Sequence, residues 1–340
     1  MIKKTLLLLF VISAMIFSSC SNKVDLYSDE GSTTIVYAIL DSDLDTNYFK
    51  ITKSFIGNVN ELAQNYEANN YQYDDIDVTL SGIFEGSSVE QNITLDTTSK
   101  WIPYDENSTF YSGCRQTYYY TTQKLREGQK YTLNILRKED NVNVTASTNT
   151  INNYWVLSPT VGIDPNVILD KEKVTLKWSF GYATSLASYF EVSGYFNYRE
   201  IMPGPDAQET KRTIVWHIKS DKAESFHIKD NEYGCSFSPR VFFNVLENDT
   251  YLNENSPVGV QRYFDDFEYR VSALGDDLYK YYMVNNSTSA IQDTPNYSNV
   301  DNGIGLMASR VAHGKKNPIK MADQRKIADD YNYGFIPGKE

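Results

Sequence analysis

Three carboxylates close together, Asp265, Asp266 and Glu268, are the residues in this sequence best suited to acid–base chemistry. A pair of carboxylates can hydrolyse a glycosidic bond when the two groups flank it. The residues around them alternate as a β-strand does, however, so neighbouring side chains point to opposite faces. No Gly-x-Ser-x-Gly, Walker or His-Glu-x-x-His motif occurs in the chain. A hydrolase is therefore the third and weakest of our functional hypotheses.

Histidines are too few and too scattered to predict a metal centre. The chain has three, His217, His227 and His313. The first two are ten positions apart and would share a face of one continuous strand, but we expect a turn near Asp221 between them. Zinc needs three or four ligands, and the sequence does not supply them.

The Asp41-x-Asp43-x-Asp45 spacing matches the first three positions of a calcium-binding loop. The sixth position of such a loop is glycine and the twelfth is glutamate. Thr46 and Thr52 stand there instead. The EF-hand interpretation fails, and a solvated turn is favoured over a weaker calcium loop. We expect neither metal nor cofactor.

Aromatic residues are the unusual feature of the composition. The chain has 27 Tyr, 16 Phe and 4 Trp, together 14% of its residues. Exposed tyrosines can stack on sugars or dock a protein. The simpler alternative is that a chain with many Tyr and Phe builds its cores from them. The candidate binding residues are Tyr118, Tyr119, Tyr120, Tyr279 and Tyr297, of which Tyr119 should face away from its two neighbours on a strand.

The N-terminus predicts export and a lipid anchor. A basic pair at 3–4 precedes a short apolar run at 6–17, two serines and then Cys20. This order is typical of a secretory signal peptide, here 1–19. It also resembles the bacterial lipobox, in which the cysteine is lipidated and becomes the mature N-terminus, although Phe17 stands where Leu is commonest. Residues 20–32 would then be the lipidated cysteine and its tether. The net charge of −12 argues against a nucleic-acid partner.

Two other cysteines, Cys114 and Cys235, are 121 positions apart. An exported protein can form a disulfide. The two residues fall in different predicted domains, so two buried free thiols are the simpler expectation, and both alternatives stay open.

Hydrophobic alternation with a period of two predicts an all-β protein with two antiparallel, immunoglobulin-like sandwich domains. The N-terminal domain is 33–150 and the C-terminal, β-rich domain is 154–313, with a polar hinge at 149–153 between them. Two short helices are expected in the second domain, one after Ser238-Pro239 and one opening at Asp276-Asp277. The tail at 314–340 is expected to be a surface helix or a loose extension. The predicted strands are 34–40, 48–53, 77–84, 130–137 and 143–147, then 173–180, 189–198, 213–218 and 267–273.

One C-terminal segment resembles a known family. It reads Tyr-Ser-Asn at 297–299, Asn-Gly-Ile-Gly at 302–305 and, after an apolar stretch, Ser-Arg at 309–310. With Gly-Gln-Lys-Tyr-Thr-Leu at 128–133 and Phe-Asn-Tyr at 196–198, it is similar to a Bacteroidota lipoprotein family catalogued as domain of unknown function, number 4249. The resemblance covers about residues 20–313. It implies an outer-membrane lipoprotein, sometimes encoded beside TonB-dependent receptors, and brings no catalytic residues.

Two glycines in that segment, Gly303 and Gly305, have their own physical interpretation. Before an apolar strand, they suit a turn that needs a positive φ and a close approach of two backbones. A phosphate-binding loop would need a third glycine and a strand–turn–helix context. We therefore predict a structural role.

Asp96-Thr97-Thr98 resembles the tripeptide at which this phylum O-glycosylates exported proteins. We expect it in a polar loop, with Thr97 as the candidate modified residue and a chance match as the alternative. For the whole protein, the leading hypothesis is a non-enzymatic binding or accessory subunit in the outer membrane. Its partner would be the membrane through the lipid, with a transporter or a glycan as the ligand. The alternative is a structural surface protein or adhesin. Which side of the membrane it faces is not determined by the sequence.

Overall fold

The computed structural model describes residues 32–54, 71–102, 114–158, 167–205, 207–285 and 297–338. The signal peptide and Cys20 lie outside this part of the chain. Most of the described residues form strands, and most neighbouring strands are antiparallel. The predicted all-β class is confirmed. No helix in the described residues is long and apolar enough to span a membrane.

The strands of the first half are β1 (Thr34–Leu40), β2 (Asn47–Lys53), β3 (Ile76–Gly82), β4 (Gln91–Thr94), β5 (Asp96–Ile102), β6 (Cys114–Thr121), β7 (Lys130–Arg137) and β8 (Val142–Asn149). Next come β9 (Trp155–Ser158), β10 (Val174–Ser179), β11 (Tyr189–Ile201), β12 (Glu209–Lys222), a 3-10 turn (Ala223–Phe226), β13 (His227–Lys229) and β14 (Glu232–Phe237). The chain continues with α1 (Val241–Glu247), α2 (Thr250–Glu254), β15 (Gln261–Leu274), α3 (Asp276–Asn285), β16 (Val300–Asp301), β17 (Gly303–Asn317), α4 (Met321–Asp330) and β18 (Phe335–Ile336).

One large sheet runs through the molecule. Its strand order is β12-β11-β15-β17-β1-β2-β6-β5, and β18 pairs with β15. A five-stranded sheet, β16-β8-β7-β3-β4, and a four-stranded sheet, β13-β14-β10-β9, complete the structure. Strands from both halves of the sequence therefore share the large sheet.

Two hydrophobic cores lie against the inner face of that sheet. The first contains Phe49 from β2 with Leu80 and Leu133 from the five-stranded sheet. The second contains Trp178 from the four-stranded sheet together with Phe242 from α1. Alternate residues of each strand supply these cores, which is why the nine strands predicted from a period of two fall on observed strands. These are β1, β2, β3, β7, β8, β10, β11, β12 and β15.

The predicted domain boundary at 149–153 is wrong for β16 and β17. β16 pairs with β8, and the first half of β17 pairs in parallel with β1. Val300 and Met307 are accordingly buried in the first core, while the second half of β17 pairs with β15. A pairing between strands more than 260 positions apart has no local sequence signature, so periodicity could not reveal it.

The tail is part of the fold rather than a loose extension. β17 runs through Gly314 to Asn317, and α4 and β18 follow. Ile319, Ile327 and Phe335 are buried in the second core. The tail helix exists, but its apolar side is covered.

Both helices predicted in the second half are present. α1 begins at Val241, with Arg240 rather than Ser238 at the N-cap and no side-chain cap. α3 opens at Asp276 as predicted, and its Leu278 is 2% exposed. Acidic residues favour the first turn of a helix because they complement its dipole.

The two glycines lie inside β17 rather than in a turn before it. Gly305 has a φ of +124°, and a Cβ there would collide with the carbonyl oxygen of Val36. At Gly303, a Cβ would lie 2.8 Å from the carbonyl oxygen of Thr34. The predicted close backbone approach is therefore confirmed, and it is the approach of β1 to β17. The positive φ of the turn itself belongs to Asn302.

Candidate binding face

Tyrosines gather on the outer face of the large sheet, which is turned away from both cores. The ring centroid of Tyr48 on β2 lies 5.9 Å from that of Tyr120 and 6.5 Å from that of Tyr118, both on β6. The Lys100 ammonium from β5 lies 4.5 Å from the Tyr48 centroid and 5.9 Å from the Tyr118 centroid. A cation at this distance is attracted by the electron-rich ring faces. Three strands thus contribute to one aromatic cluster.

Strand register explains why these side chains meet. Tyr48 is the direct partner of Tyr120, and Thr98, two residues before Lys100, is the partner of Tyr118. Directly paired residues project to the same face of a sheet. Phe49, between the outward residues of β2, turns into the first core.

Exposed apolar side chains extend the cluster across β2, β1 and β17. Tyr37, Ile39, Tyr48 and Ile304 are each between 42% and 48% exposed. Single exposed apolar residues are common, but a contiguous group of them marks an interaction surface. We call this surface the outer tyrosine face, defined by Tyr37, Ile39, Tyr48, Tyr118, Tyr120 and Ile304, with Lys50 and Lys100 beside them.

Helix α3 borders this face. Its Leu278 is buried against Leu306 and Ala308 of β17, with Tyr281 packed on the same cluster. Partial burial, with a smaller contribution from Tyr281, raises the pKa of Tyr37 above its ordinary value. Tyr37 therefore stays a neutral phenol with an apolar ring and a polar tip. The helix covers one part of the outer face, while Tyr37 and Ile39 of β1 and Tyr48 of β2 stay partly exposed.

The five predicted binding tyrosines do not form one surface. Tyr118 and Tyr120 lie together on the outer face, whereas Tyr119 points inward beside Phe49, as alternation predicted. Tyr279 stacks on Tyr189 with centroids 5.2 Å apart. The Tyr297 hydroxyl donates a hydrogen bond of 2.7 Å to Oδ1 of Asp277. The members that sequence reasoning missed are Tyr37, Ile39, Tyr48 and Ile304, although alternation around Phe49 could have indicated Tyr48.

The alternative role of the aromatic residues is also realised. Tyr131, Tyr154, Tyr198 and Tyr269 are 0% to 1% exposed. Burial raises the pKa of the hydroxyl in each of them. Much of the tyrosine excess therefore builds the cores, and a smaller part builds the outer face.

The three carboxylates suggested for acid–base chemistry have separate partners. Oδ1 of Asp265 lies 2.6 Å from Nε of Arg199, and Asp266 accepts a 2.6 Å hydrogen bond from Asn197. Glu268 pairs with Arg270 at 2.9 Å. Each carboxylate is held by a structural contact of its own, so the geometry adds nothing to the hydrolase hypothesis.

His217 and His227 likewise have separate partners. His217 Nδ1 lies 3.5 Å from Ser193 Oγ, and His227 Nε2 lies 3.0 Å from the carbonyl oxygen of Asp230. The 3-10 turn at Ala223–Phe226 separates the two, slightly later than the predicted turn. No group of three His, Cys, Asp or Glu residues is arranged to hold a metal ion within the described ranges.

In the aspartate loop, Asp41 Oδ1 accepts a 2.9 Å hydrogen bond from the backbone of Asp43. Asp43 Oδ2 in turn lies 3.0 Å from Nε2 of His313. These contacts close a turn and link it to β17. The choice between a solvated turn and a weaker calcium loop stays a prediction.

Cys235 is a buried free thiol, and burial raises its pKa to about 11. Because Cys235 is free, the suggested disulfide with Cys114 is not formed in this structure. The side chain of Cys114 itself lies outside the described residues. Thr97 is exposed on β5, an edge strand of the large sheet, and not in a loop as predicted. An edge strand offers one side to solvent, which leaves Thr97 accessible.

Comparison with known proteins brings no relative: no protein-family model matches the chain, and no curated protein matches it. The resemblance of residues 20–313 to a lipoprotein family therefore stays a prediction. The fold and the surface together define an all-β protein with an exposed aromatic face.

Proposed function

We propose that this protein is an outer-membrane lipoprotein that acts without catalysis, as a binding or accessory subunit that docks a protein partner on its outer tyrosine face. The observation that carries the proposal is the group of half-exposed apolar side chains, Tyr37, Ile39, Tyr48 and Ile304, on three adjacent strands. The partner we favour is an integral protein of the same membrane, such as a TonB-dependent transporter.

Composition of the face favours a protein over a glycan. Tyrosine is enriched at the centre of protein interfaces because its ring is apolar and its hydroxyl is polar. Ile39 and Ile304 can bury apolar area against another protein, but they have no hydrogen bond to offer a sugar. Lys50 and Lys100 would lie at the rim of the interface, where charges change the association rate more than the affinity.

The position of the anchor is consistent with this role. The tether that would follow Cys20 leads directly into β1, and β1 carries Tyr37 and Ile39. A lipid at Cys20 would therefore keep the face close to the membrane and raise its effective concentration toward membrane-embedded partners.

The test is co-purification from detergent-solubilised outer membranes with the lipidated full chain. We expect one integral membrane protein to co-purify with the wild type at constant stoichiometry. Ile39→Glu places a charge in the face and should abolish this association. Val258→Glu is the matched control, because Val258 is fully exposed elsewhere.

Equal recovery of a partner with both variants would contradict the proposal. Retention on an insoluble polysaccharide, lost in Tyr48→Ala and Tyr120→Ala while no protein co-purifies, would indicate a glycan ligand instead. Thermal unfolding of each variant separates a lost surface from a lost fold.

A further inference from the structure

The two edge strands of the large sheet differ in their protection against pairing with another chain. β12, at one edge, contains a β-bulge in its pairing with β11. It also carries four basic residues, Lys211, Arg212, Lys219 and Lys222. Bulges and lysines on an edge strand hinder its pairing with a further strand. β5, at the other edge, pairs with β6 without a shift in register and has one aspartate and one lysine. The β5 edge therefore lacks the protection that β12 has.

The free edge of β5 is accessible. Asp96 on one face of the sheet and Ser99 and Trp101 on the other are all exposed, and Trp101 is 63% exposed. Within the part of the chain that the structure describes, the backbone of β5 is hydrogen-bonded to β6 and to no other strand. On an edge strand, alternate N–H and C=O groups point away from the neighbouring strand, and an added strand can bind them.

The sequence of β5 is complementary to itself in one antiparallel register. Directly opposite residues of two paired strands project to the same face. When Thr98 lies opposite Thr98 of a second copy, Asp96 of each copy lies opposite Lys100 of the other. A register centred on Lys100 would set two like charges against each other, and one centred on Ser99 would set Asp96 against Ile102. Only the register centred on Thr98 gives both charged residues of the strand an opposite charge.

We infer that two copies of this chain pair through β5, antiparallel and centred on Thr98, and so join their large sheets into one. Backbone hydrogen bonds hold the two strands together, and the two Asp96–Lys100 pairs select the register, because exposed ion pairs contribute more to specificity than to affinity. In the single chain the Lys100 ammonium lies over the Tyr48 ring. Its flexible stem allows it to turn to the carboxylate of the second copy.

The symmetry of this dimer brings the two outer tyrosine faces together. The two-fold axis is perpendicular to the sheet, because antiparallel pairing at an edge keeps the same face of both sheets on one side. The two faces then lie side by side on one surface. With both copies anchored through Cys20, both tethers must reach one membrane, so the axis lies along the membrane normal and the joined sheet lies parallel to the membrane.

The experiment is oxidative cross-linking of the lipidated full chain in its own membrane. The background is Cys114→Ser, because Cys114 pairs with Ile102 at the end of β5. Thr98→Cys places two thiols opposite each other across the axis, with Cα atoms roughly 4.5–5.5 Å apart, a separation that a disulfide bridges. We expect a covalent dimer of this chain. Thr213→Cys, at an exposed position of the protected strand β12, is the matched control and should give no dimer.

Charge reversal tests the register. In the Thr98→Cys chain, Asp96→Lys and Lys100→Asp each set like charges against each other at both symmetric positions. Each should lower the cross-linked fraction at least about threefold. The double reversal restores opposite charges and should return the fraction to its original value. A loss of stability caused by either substitution would persist in the double variant, so recovery separates the register from the fold.

Absence of a covalent dimer with Thr98→Cys, or equal cross-linking of Thr213→Cys, would overturn the inference. A dimer yield that does not respond to charge reversal would overturn the register. A product that joins β5 to a different protein would assign the edge to a foreign strand and would also overturn the inference. Co-purification of a partner through the outer tyrosine face involves a different surface, so the failure of one proposal is distinguishable from the failure of the other.

Discussion

The guanidinium of Arg262 lies 2.6 Å from the carboxylate of Glu200, and the two side chains are 0% and 1% exposed. Glu200 also accepts from the Tyr251 hydroxyl at 2.6 Å and lies 3.2 Å from Nε of Arg212. Arg262 donates further to Ser256 and to the backbone of Asn255 and Tyr333. This network ties β11, β15, α2 and the C-terminal tail together at one buried point.

Removing the carboxylate charge should strongly destabilise the fold. Glu200→Gln leaves the Arg262 charge buried without its counter-ion, and breaking such a pair costs about 3–5 kcal/mol. Urea unfolding measures the loss. Glu224→Gln, at an exposed position, is the control and should change the free energy of unfolding little.

The same network predicts a dependence on acid. Burial opposes ionisation of Glu200, but the hydrogen bonds from Tyr251 and Arg262 and the nearby arginine charges outweigh it, so its pKa lies below the ordinary value. The stabilisation is therefore fully present above the unfolded-state pKa of about 4.3 and is lost as the pH falls through the folded-state pKa. The contribution should be visible as a shallower pH dependence of Tm in Glu200→Gln between pH 6 and pH 3. Parallel curves for the two proteins would contradict this account.

Replacing Gly305 with alanine should disrupt the pairing between β1 and β17. In Gly305→Ala the new Cβ collides with the backbone of Val36, and the φ of +124° is unfavourable for alanine. We expect a loss of at least about 2 kcal/mol in the free energy of unfolding. Gly204→Ala also has a positive φ but no atom within 4 Å of the new Cβ, so it measures the conformational cost alone and should be clearly milder.

The tail should be required for stability. Asp323 of α4 accepts hydrogen bonds from the backbones of Leu169 at 2.8 Å and Asp170 at 3.2 Å. Asp323→Ala removes both, and leaving the buried N–H of Leu169 unpaired should cost about 1–3 kcal/mol, whereas the N–H of the exposed Asp170 can bond to water. Asp329→Ala, at an exposed position of the same helix, is the control. A chain ended after residue 313 that unfolds as cooperatively as the full chain would show that the tail is dispensable.

The predicted lipid anchor at Cys20 can be tested in vivo by fatty-acid labelling. Cys20 should carry thioether-linked diacylglycerol, because the basic, apolar and small residues before it follow the order of a lipoprotein signal. Two or more acyl chains hold a protein stably in a membrane, whereas one binds reversibly. Cys20→Ala should therefore lose fatty-acid labelling and accumulate as a precursor or a soluble form. Labelling that persists in this variant would disprove the assignment.

Thr97 offers a test by mass. If the Asp96-Thr97-Thr98 tripeptide is modified, the native protein should be heavier than the lipidated polypeptide, and Thr97→Ala should remove the excess. The exposed position of Thr97 on an edge strand makes it accessible to an enzyme. A native mass equal to the lipidated polypeptide would show that the match is fortuitous.

Local structure was readable from the sequence because it depends on neighbours. Alternation placed β1 at 34–40 within its observed bounds, and Asp276 marked the start of α3. The predicted strands 130–137 and 143–147 left room for a short turn between β7 and β8, and Asn141 adopts there the positive φ that asparagine tolerates. The inward direction of Tyr119 followed from the same period of two.

Long-range pairing was decided only by the tertiary structure. Nothing near Thr34 indicates that β1 lies beside Gly303, so the sequence alone divided the chain at a point that the large sheet crosses. The outer tyrosine face has the same origin, because Tyr48 and Tyr120 meet only when β2 pairs with β6. Periodicity reports which face of a strand is buried. Which strands become neighbours depends on complementarity between surfaces that are remote in sequence, and that is a property of the folded chain.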